Sequence, residues 1–336
     1  MTDLRTRTLT DADEPTLAAW VDLRTRAAAH DRPAGPPVCP AELRGSLRVP
    51  PPATDVVEWA AYAGDEVVGT VRVELPVEEN TDLAVLDTLV VDPAWRGRGV
   101  GSALLAEAGA VARERGRRRL QGSTVGKRGA DLDADPNAGF ARRHGARCVY
   151  ALVHNQLAVQ PRPPWWDTAW QVDESRFEVL TWGTVVPDEL VEEIAGLEAV
   201  LSGEGNTGDD SWEARRPAVQ RVRDFERMRI SRGRGAHQMG FRDRTTGQLV
   251  ARGVLSITES WPSVGLLATA VVLPDYRRKG IGGAMAAEGI RRAVTALPEL
   301  RVVESLNVES NHKIRQLIAA LGFTEVADWT VWQLDL

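Results

Sequence analysis

Two glycine-rich segments have the residue types and spacing to bind a phosphate-like anion. They are VVDPAWRGRGVGSALL, residues 90–105, and VVLPDYRRKGIGGAMA, residues 271–286. In each, an apolar run passes through a proline and an arginine–glycine loop into a helical pattern. Backbone N–H groups at a helix start have no partners within the helix, and the helix dipole favours negative charge there. Glycine lets an anion approach the backbone, and arginine adds a bidentate donor. We therefore predict a diphosphate-binding turn in each segment.

The two turns differ from the best-known phosphate motifs. Neither ends in the Gly-Lys-Ser/Thr of a P-loop, and neither has the Gly-x-Gly-x-x-Gly run of a dinucleotide site. Each has Arg-x-x-Gly-x-Gly after a late strand, at Arg96–Gly101 and Arg277–Gly282. A single match could be ordinary turn chemistry. Two matches in the same strand–loop–helix context favour binding.

The chain repeats itself beyond these turns. Val91, Gly99 and Gly101 recur as Val272, Gly280 and Gly282, always 181 residues later. FARRHGA (140–146) and IAALGFTEV (318–326) follow at similar distances. A chain of 336 residues also exceeds one typical core. We predict an N-terminal domain over 1–160, a linker rich in proline and tryptophan over 161–175, and a C-terminal domain over 176–336.

The coarse order of elements is the same in each half: strand, helices, several strands, the loop, a helix, a strand, a helix and a final strand pair. LAVLDTLVV (83–91) reads as the strand that enters the first loop, and SALLAEAGAVARERG (102–116) as the helix that leaves it. The proline-rich stretch 32–52 reads as a long irregular segment. The pattern predicts a repeated mixed α/β fold.

Composition excludes several classes of protein. A formal net charge of −6 opposes general nucleic-acid binding. No apolar run is long enough for a membrane span, and the first residues lack the apolar core of a signal peptide. Cys39, Cys148 and the five histidines match no metal or redox spacing, so no metal site is predicted. We expect a reduced, cytoplasmic protein.

Both halves resemble the GNAT superfamily of acyl-CoA-dependent acetyltransferases. The resemblance rests on the Arg-x-x-Gly-x-Gly loops, on the strands that enter them, and on the late Leu321–Phe323. It covers nearly the whole chain, once per half, as in tandem GNAT proteins of actinobacteria. It implies an α/β fold of two tandem GNAT domains, each a mixed, mostly antiparallel sheet flanked by helices.

The resemblance implies that acetyl-CoA is the cofactor. The loop amides would bind its diphosphate, the strand before each loop would bind its pantetheine arm, and an asparagine after the fifth strand would contact it. The implied cofactor residues are Leu89, Val90, Val91, Arg96, Gly97, Arg98, Gly99, Val100, Gly101 and Ser102 in the first half, and Ala270, Val271, Val272, Arg277, Arg278, Lys279, Gly280, Ile281, Gly282, Gly283 and Asn307 in the second. The first half has no such asparagine.

Attack of an amine on a thioester needs a base, because a lysine-like amine has a pKa of about 10.4. In the first half the candidates are Asp87, on the strand before the loop, and Glu74. In the second half Ala268 replaces Asp87, and the nearby polar candidates are Glu259, Glu304 and Ser305. The tyrosine that often protonates the leaving thiolate in this superfamily is absent from both halves, where Ala141 and Ile318 stand.

The sequence therefore predicts an N-acetyltransferase that moves an acetyl group to the amine of a small molecule by direct transfer in a ternary complex. The alternatives are a non-catalytic acyl-CoA-binding or sensing protein, and a protein N-acetyltransferase. The arginine run 113–119 could suggest nucleic acid, but reads better as a solvated helix end. We expect no nucleic-acid or membrane partner, a monomer with pseudo-symmetric halves, and a preference for cationic acceptors.

Overall fold

A computed structural model of the chain describes residues 4–9, 14–32, 35, 37–204 and 212–336. These residues form two compact units. Unit 1 contains residues Met1–Thr124, Pro136–Cys148 and Val331–Leu336; unit 2 contains Val125–Asp135 and Val149–Thr330. In the described part of the chain, no helix has the length and apolar character needed to cross a bilayer.

The chain order of the elements repeats, as predicted. The elements of the first half are β1 Leu4–Thr8, α1 Glu14–Asp31, α2 Pro40–Arg48, β2 Thr54–Ala63, β3 Glu66–Pro76, β4 Leu83–Val91, α3 Val100–Glu114, β5 Arg119–Lys127, α4 Pro136–Arg143 and β6 Arg147–Ala158. Those of the second half are β7 Phe177–Trp182, α5 Val191–Glu204, α6 Val219–Ser231, β8 Arg234–Asp243, β9 Leu249–Thr258, β10 Val264–Val272, α7 Ile281–Ala296, β11 Val302–Val308, α8 His312–Ala320 and β12 Thr324–Asp335. The fold class predicted from the sequence is confirmed.

Residues 37–52 of the proline-rich stretch are more regular than predicted, because they contain helix α2, whereas residues 33, 34 and 36 lie outside the described residues. Pro40 stands in the first turn, where its missing N–H costs nothing. The sulfur of Cys39 accepts a hydrogen bond from the Glu42 N–H at 3.4 Å and caps the helix. Local capping therefore offsets the high proline content here.

Unit 1 completes its sheet with the last residues of the chain. Strands β1 to β4 are antiparallel neighbours, β5 lies parallel to β4, and the end of β12 lies beside β5. The Leu336 N–H donates to the Arg118 carbonyl at 2.8 Å. The Gln121 side chain donates to the Gln333 side chain at 3.0 Å. The sixth strand of unit 1 thus comes from the second half of the sequence.

Unit 2 takes a strand from the first half in return. Its strand order is β7, β8, β9, β10, β11, β6 and β12. Strand β6 is antiparallel to β11, with Ala158 opposite Val302 and Leu152 opposite Val308. The domain boundaries at residues 160 and 176 describe the repeat along the sequence and stay a prediction, whereas the compact units describe packing.

Apolar helix faces cover both faces of each sheet. In unit 1, α3 packs on one face and α1 on the other, through the buried residues Leu104, Ala108, Leu17, Trp20 and Leu23. In unit 2, α7 packs on one face and α5 on the other, through Ala287, Ile290, Ile194 and Leu197. Each fully buried leucine or isoleucine contributes about 1.5–3 kcal/mol to stability. These cores hold the strands and loops described next.

Candidate functional site

A β-bulge lies at the same place in both halves. In unit 1, Thr88 is opposite Arg72 and Leu86 is opposite Val73, which leaves Asp87 without a partner across the strand pair. In unit 2, the register shifts in the same way between Leu267 and Thr269, which leaves out Ala268. A bulge bends its strand and redirects the extra side chain. Asp87 therefore occupies a specialised position that Ala268 fills without a charge.

Each bulged strand separates from its parallel neighbour just before the bulge. The ladder between β4 and β5 ends at Leu86 and Gly122, and that between β10 and β11 ends at Leu266 and Glu304. Beyond these residues, β4 and β5 continue without pairing to each other in the described structure, and so do β10 and β11. The opening exposes one backbone edge of Leu89–Val91 and of Ala270–Val272, the residues predicted to bind a pantetheine arm. An extended molecule could hydrogen-bond to such an edge.

The turn after β4 has the geometry of an anion-binding site. Gly97 and Gly99 have left-handed backbones, with φ of 71° and 87°, and no other heavy atom lies within 4 Å of a Cβ built on either glycine. Helix α3 starts at Val100, and no side chain caps it. Its first N–H groups therefore face open space beside a positive helix end. This arrangement fits a diphosphate.

Arg96 braces this turn. Its Nε donates to the Val91 carbonyl at 3.2 Å, and its two terminal nitrogens donate to the Asp31 carboxylate at 2.7 and 2.8 Å. The hydrogen bond from Arg96 holds the pKa of Asp31 below its usual range. The two terminal nitrogens of Arg96, predicted to bind an anion, therefore bind Asp31 of α1 instead. The role of Arg96 is to position the loop. Arg98 places its guanidinium 4.9 Å from the Trp95 ring centroid.

The turn after β10 repeats this geometry. Arg278 and Gly280 have φ of 59° and 77°, and α7 starts at Ile281 without a side-chain cap. The Arg277 Nε donates to the Val272 carbonyl at 2.9 Å, as Arg96 does to Val91. A non-glycine residue at a left-handed position costs about 1–2 kcal/mol, so Arg278 makes this turn the more strained of the two.

The two turns differ at the third residue of the following helix. In unit 1 this residue is Ser102, whose Oγ lies 3.0 Å from the His144 Nε2. In unit 2 it is Gly283, and the Trp170 indole lies where a side chain would be, 2.1 Å from a Cβ built on the glycine. The side of the α7 start is therefore covered by Trp170.

Arg291 fixes the segment that carries this tryptophan. It donates hydrogen bonds to the carbonyls of Trp166, Ala169 and Trp170 at 2.9, 2.6 and 3.2 Å. Its guanidinium also lies 5.3 Å from the Trp165 ring centroid. One arginine of α7 thus holds residues 166–170 against its own helix.

Three carboxylates of unit 1 surround Arg72, which is only 3% exposed. Its Nη1 donates to Glu58 at 3.1 Å, and its Nε donates to Glu74 at 3.2 Å. The Asp87 carboxylate lies 3.6 Å from the same Nε. Nη1 also donates to the Ser46 carbonyl of α2 at 3.3 Å, so the cluster lies on the sheet face that carries α2. The structure therefore brings the predicted candidates Asp87 and Glu74 together.

Burial and charge pairing oppose each other in the ionisation of this cluster. Burial raises the pKa of Glu58, and the neighbouring charges of Arg72 and Arg24 only partly oppose it. Burial also lowers the pKa of Arg24. Burial alone would lower the pKa of Arg72 as well, but the three carboxylates outweigh it and raise that pKa. The cluster combines three acids with two arginines.

The polar candidates of unit 2 divide into two groups. Glu304 lies on β11 beside the opening, accepts a hydrogen bond from Gln156 at 2.8 Å, and lies 3.3 Å from the His154 Nε2. Glu259 lies in the turn between β9 and β10, where its N–H donates to the Gly233 carbonyl. That turn is at the end of β10 remote from the loop. The structure places Glu304 beside the opening, and Glu259 away from it.

Asn307 belongs to a polar cluster on β11 and β6. Its Oδ1 accepts hydrogen bonds from the Ser305 hydroxyl at 3.1 Å and from the Asn155 amide at 3.3 Å. Ser305 and Asn155 are both buried. In unit 1 the corresponding strands carry Trp332, whose Nε1 donates to the Thr124 hydroxyl at 2.9 Å. Asn307 and Ser305 thus lie at the opening of unit 2.

Sequence reasoning missed four residues of these sites: Glu58, Arg72, His154 and Trp170. A charged residue within an apolar strand, as in VRVEL (71–75), is the signal that could have revealed Arg72. His154 could not be linked to Glu304, because β6 joins a sheet formed by the other half of the sequence.

Comparison with known proteins agrees with this geometry. A family profile described as an acetyltransferase (GNAT) domain matches residues 55–145, and one described as the acetyltransferase (GNAT) family matches residues 208–323. A solved structure of a tandem GNAT protein from the clavulanic acid biosynthesis pathway, without acetyl-CoA, is 32% identical and superposes with a TM-score of 0.86. The match covers 99% of this chain and 98% of that protein's chain. The chain belongs to the GNAT family.

More distant structures share the fold. One from Sphaerobacter thermophilus is 17% identical, with 99% and 95% coverage of the two chains and a TM-score of 0.66. A putative acetyltransferase from Pyrococcus horikoshii is 15% identical, with 100% and 90% coverage and a TM-score of 0.62. Among curated proteins, no match was found. The tandem GNAT prediction is confirmed, and GNAT domains carry out acyl-CoA-dependent acyl transfer and typically bind acetyl-CoA.

Proposed function

We propose that unit 1 transfers an acetyl group from acetyl-CoA to the amine of a small molecule, with Asp87 as the base. The observation that carries the proposal is the position of Asp87. It is the extra residue of the bulge and lies beside the opening between β4 and β5. The strand that carries it leads into the uncapped glycine turn.

The residues of this opening fit the cofactor. When bound, acetyl-CoA supplies the activated thioester. The amides of Gly97–Ser102 would hold its diphosphate, because the glycines leave open space and α3 has no side-chain cap. The free edge of Leu89–Val91 would hold its extended arm. Arg96 and Asp31 would keep the turn in place.

The acidic cluster would prepare the amine. Asp87 is about half-exposed and accepts a hydrogen bond from the Thr88 hydroxyl, so it can meet a substrate. An amine with a pKa of about 10.4 is protonated at neutral pH and must lose a proton before it attacks. The carboxylates of Glu58, Glu74 and Asp87 outnumber the nearby arginines, so the cluster attracts a cation and receives its proton.

Unit 2 supports this chemistry less well. Its bulge residue is Ala268, which cannot accept a proton, and Trp170 covers the side of the α7 start. Glu304 and His154 form an acid–base pair beside its opening, and they carry the second candidate, acyl transfer by unit 2. We place the main activity in unit 1 because the acid there lies on the bulge itself.

The test is thiol release from acetyl-CoA across a library of small amines and lysine peptides. We expect turnover with a small amine, and we expect Asp87→Asn to lower kcat by about 100-fold or more, as loss of a general base does. Asp65→Asn, in the exposed turn between β2 and β3, is the matched control and should keep full activity.

Each alternative predicts a different result. A sensing protein would bind acetyl-CoA without turnover of any amine at any pH. A protein N-acetyltransferase would prefer the peptides. Unchanged kcat in Asp87→Asn, together with loss of kcat in Glu304→Gln, would move the chemistry to unit 2.

A further inference from the structure

Unit 2 contains a cavity on the α5 and α6 side of its sheet. Its volume is about 290 Å³, and it reaches Thr269, the residue after the bulge of β10. Trp212, Phe225 and Tyr150 supply aromatic surface, and Arg229 and Glu198 supply charge. The volume is at the lower end of the roughly 300–1,000 Å³ of small-molecule pockets, so the cavity suits a compact ligand.

The charge in this cavity is not balanced. The guanidinium of Arg229 makes no hydrogen bond or ion pair within 4 Å to any part of the chain that the structure describes. Glu198, the carboxylate of the lining, is engaged by Arg252, which is only 1% exposed. Arg215 adds a further positive charge above the Phe225 ring, at 5.6 Å from its centroid. Arg229 therefore faces a carboxylate that Arg252 already engages, and Glu226, which pairs with Arg223, opposes its charge less than Glu198 does.

A partly buried arginine without a partner is costly, because the lining desolvates its charge. Burial, and then the charge of Arg252, lower the pKa of Arg229. The lowered pKa reflects the same unfavourable desolvation of its charge. An anion from outside would remove it. The guanidinium fork binds carboxylate and phosphate with two parallel hydrogen bonds, which makes either group a suitable partner.

We propose that the unit 2 cavity binds a small organic anion, whose carboxylate or phosphate pairs with Arg229 and whose flat apolar body packs against Trp212 and Phe225. The matching region of unit 1 has the opposite charge, with Glu58, Glu74 and Asp87 around Arg72. The two units thus bind ligands of opposite sign. This proposal goes beyond the proposed function, because it requires no acyl transfer in either unit.

Calorimetry on the full chain tests the proposal with three probes of similar shape: phenylacetate, phenyl phosphate and the neutral phenylacetamide. We expect at least one anion to bind with a 1:1 stoichiometry, and the amide to bind at least about tenfold more weakly, since a charged hydrogen bond is worth about 1.5–3 kcal/mol. The better anion shows whether carboxylate or phosphate is preferred.

Variants assign the binding to Arg229. Arg229→Gln should weaken the anion at least about tenfold. Arg229→Lys should retain part of the affinity, because it keeps the charge and loses the fork. The matched control is Arg227→Gln, on the same helix: Arg227 is 63% exposed and pairs with Asp224, so this variant should bind as the native chain does. Thermal unfolding of each variant shows that it is folded.

Three results would overturn the proposal: no anion binding at millimolar concentration, equal binding of the amide, or unchanged anion binding in both Arg229 variants. Failure of the proposed function is seen separately. The Asp87→Asn variant should lose thiol release and bind the anion as before, because Asp87 and the cavity belong to different units.

Discussion

Trp170 and Gly283 are in such close contact that no side chain fits at position 283. A Cβ built on Gly283 would lie 2.1 Å from one indole carbon and 2.2 Å from the next. Trp170 itself has a left-handed backbone, with a φ of 58°. The contact follows from Arg291, which holds three carbonyls of the segment 166–170 against α7.

Gly283→Ala should lower the free energy of unfolding of unit 2 by about 1–3 kcal/mol, because the added methyl group collides with a fixed ring. Gly282→Ala is the matched control on the same helix turn. Its Cβ would lie 3.7 Å from Leu317, an ordinary contact. Thermal unfolding compares the two, and equal melting temperatures would contradict the contact.

The collision should disappear in the Trp170→Ala background. There, Gly283→Ala should raise stability by up to about 1 kcal/mol, since alanine is the better helix former and the remaining close atom, the Leu317 Cδ1 at 3.1 Å from the Cβ, ends a flexible side chain that can shift. The change of sign between the two backgrounds is the measurement. Calorimetry on Trp170→Ala should also show tighter coenzyme A binding by unit 2, because the start of α7 is uncovered.

Gly99→Ala should weaken coenzyme A binding and lower stability by about 1–2 kcal/mol, because alanine is strained at a φ of 87°. No steric collision contributes, since the space around position 99 is open. Gly139→Ala in α4 is the control, and it should leave binding unchanged. Native affinity in Gly99→Ala would show that this turn does not bind the diphosphate.

Arg72→Met should be strongly destabilising at neutral pH, by about 3–5 kcal/mol, because it leaves Glu58 buried without its partner. Burial already raises the pKa of Glu58, and loss of Arg72 raises it further. A carboxyl group whose pKa is higher in the folded than in the unfolded protein lowers the free energy of unfolding only at high pH. Below its unfolded pKa, which is about 4.3, it has no such effect. The loss should therefore be small at pH 4 and grow with pH until it passes the folded pKa.

Urea unfolding across this pH range measures the effect. The double variant Arg72→Met with Glu58→Gln should recover much of the stability and show a flatter pH dependence. A loss in Arg72→Met that is independent of pH would mean that packing alone is responsible.

Glu325→Gln should also lose more stability at neutral than at acidic pH, but because a lowered carboxyl pKa is lost and not because a raised one is created. Hydrogen bonds from Arg315, and then from Arg128, hold the pKa of Glu325 below its usual value. Its stabilising effect is therefore present above the unfolded pKa and is lost as the pH falls through the folded pKa. The side chain is 34% exposed, so the loss at pH 7 should be about 1 kcal/mol or less.

Thermal unfolding at pH 7 and at pH 3 tests this difference. The exposed Glu299 has a side chain of the same kind, and Glu299→Gln is the control that should be neutral at both values. A loss for Glu325→Gln that is equal at the two pH values would contradict the assignment.

Local signals in the sequence predicted the parts of the site that are locally encoded. LAVLDTLVV was predicted as a strand, and β4 is Leu83–Val91. The arginine–glycine turns and the helices after them are also confirmed, because apolar runs, proline and glycine act on their own neighbourhood. The bulge at Asp87 was not predicted, because its register depends on the pairing of β4 with β3.

The exchange of strands between the halves could not be predicted either. Strands β6 and β12 follow equivalent helices and have similar apolar patterns, so nothing local shows which sheet each one joins. For the same reason, the meeting of His154 with Glu304 and of Gln121 with Gln333 was beyond prediction. The role of Trp170 depends on the hydrogen bonds from Arg291 to its segment, and Arg291 is distant in sequence.

The place of β12 sets the timing of assembly during translation. A ribosome makes the first five strands of unit 1 early, but Val331–Leu336 only after residues Val149–Thr330 of unit 2. Until then β5 has an uncovered edge, the kind of backbone to which other chains can add. The nascent protein must therefore keep that edge solvated, or shielded by a chaperone, throughout the synthesis of unit 2.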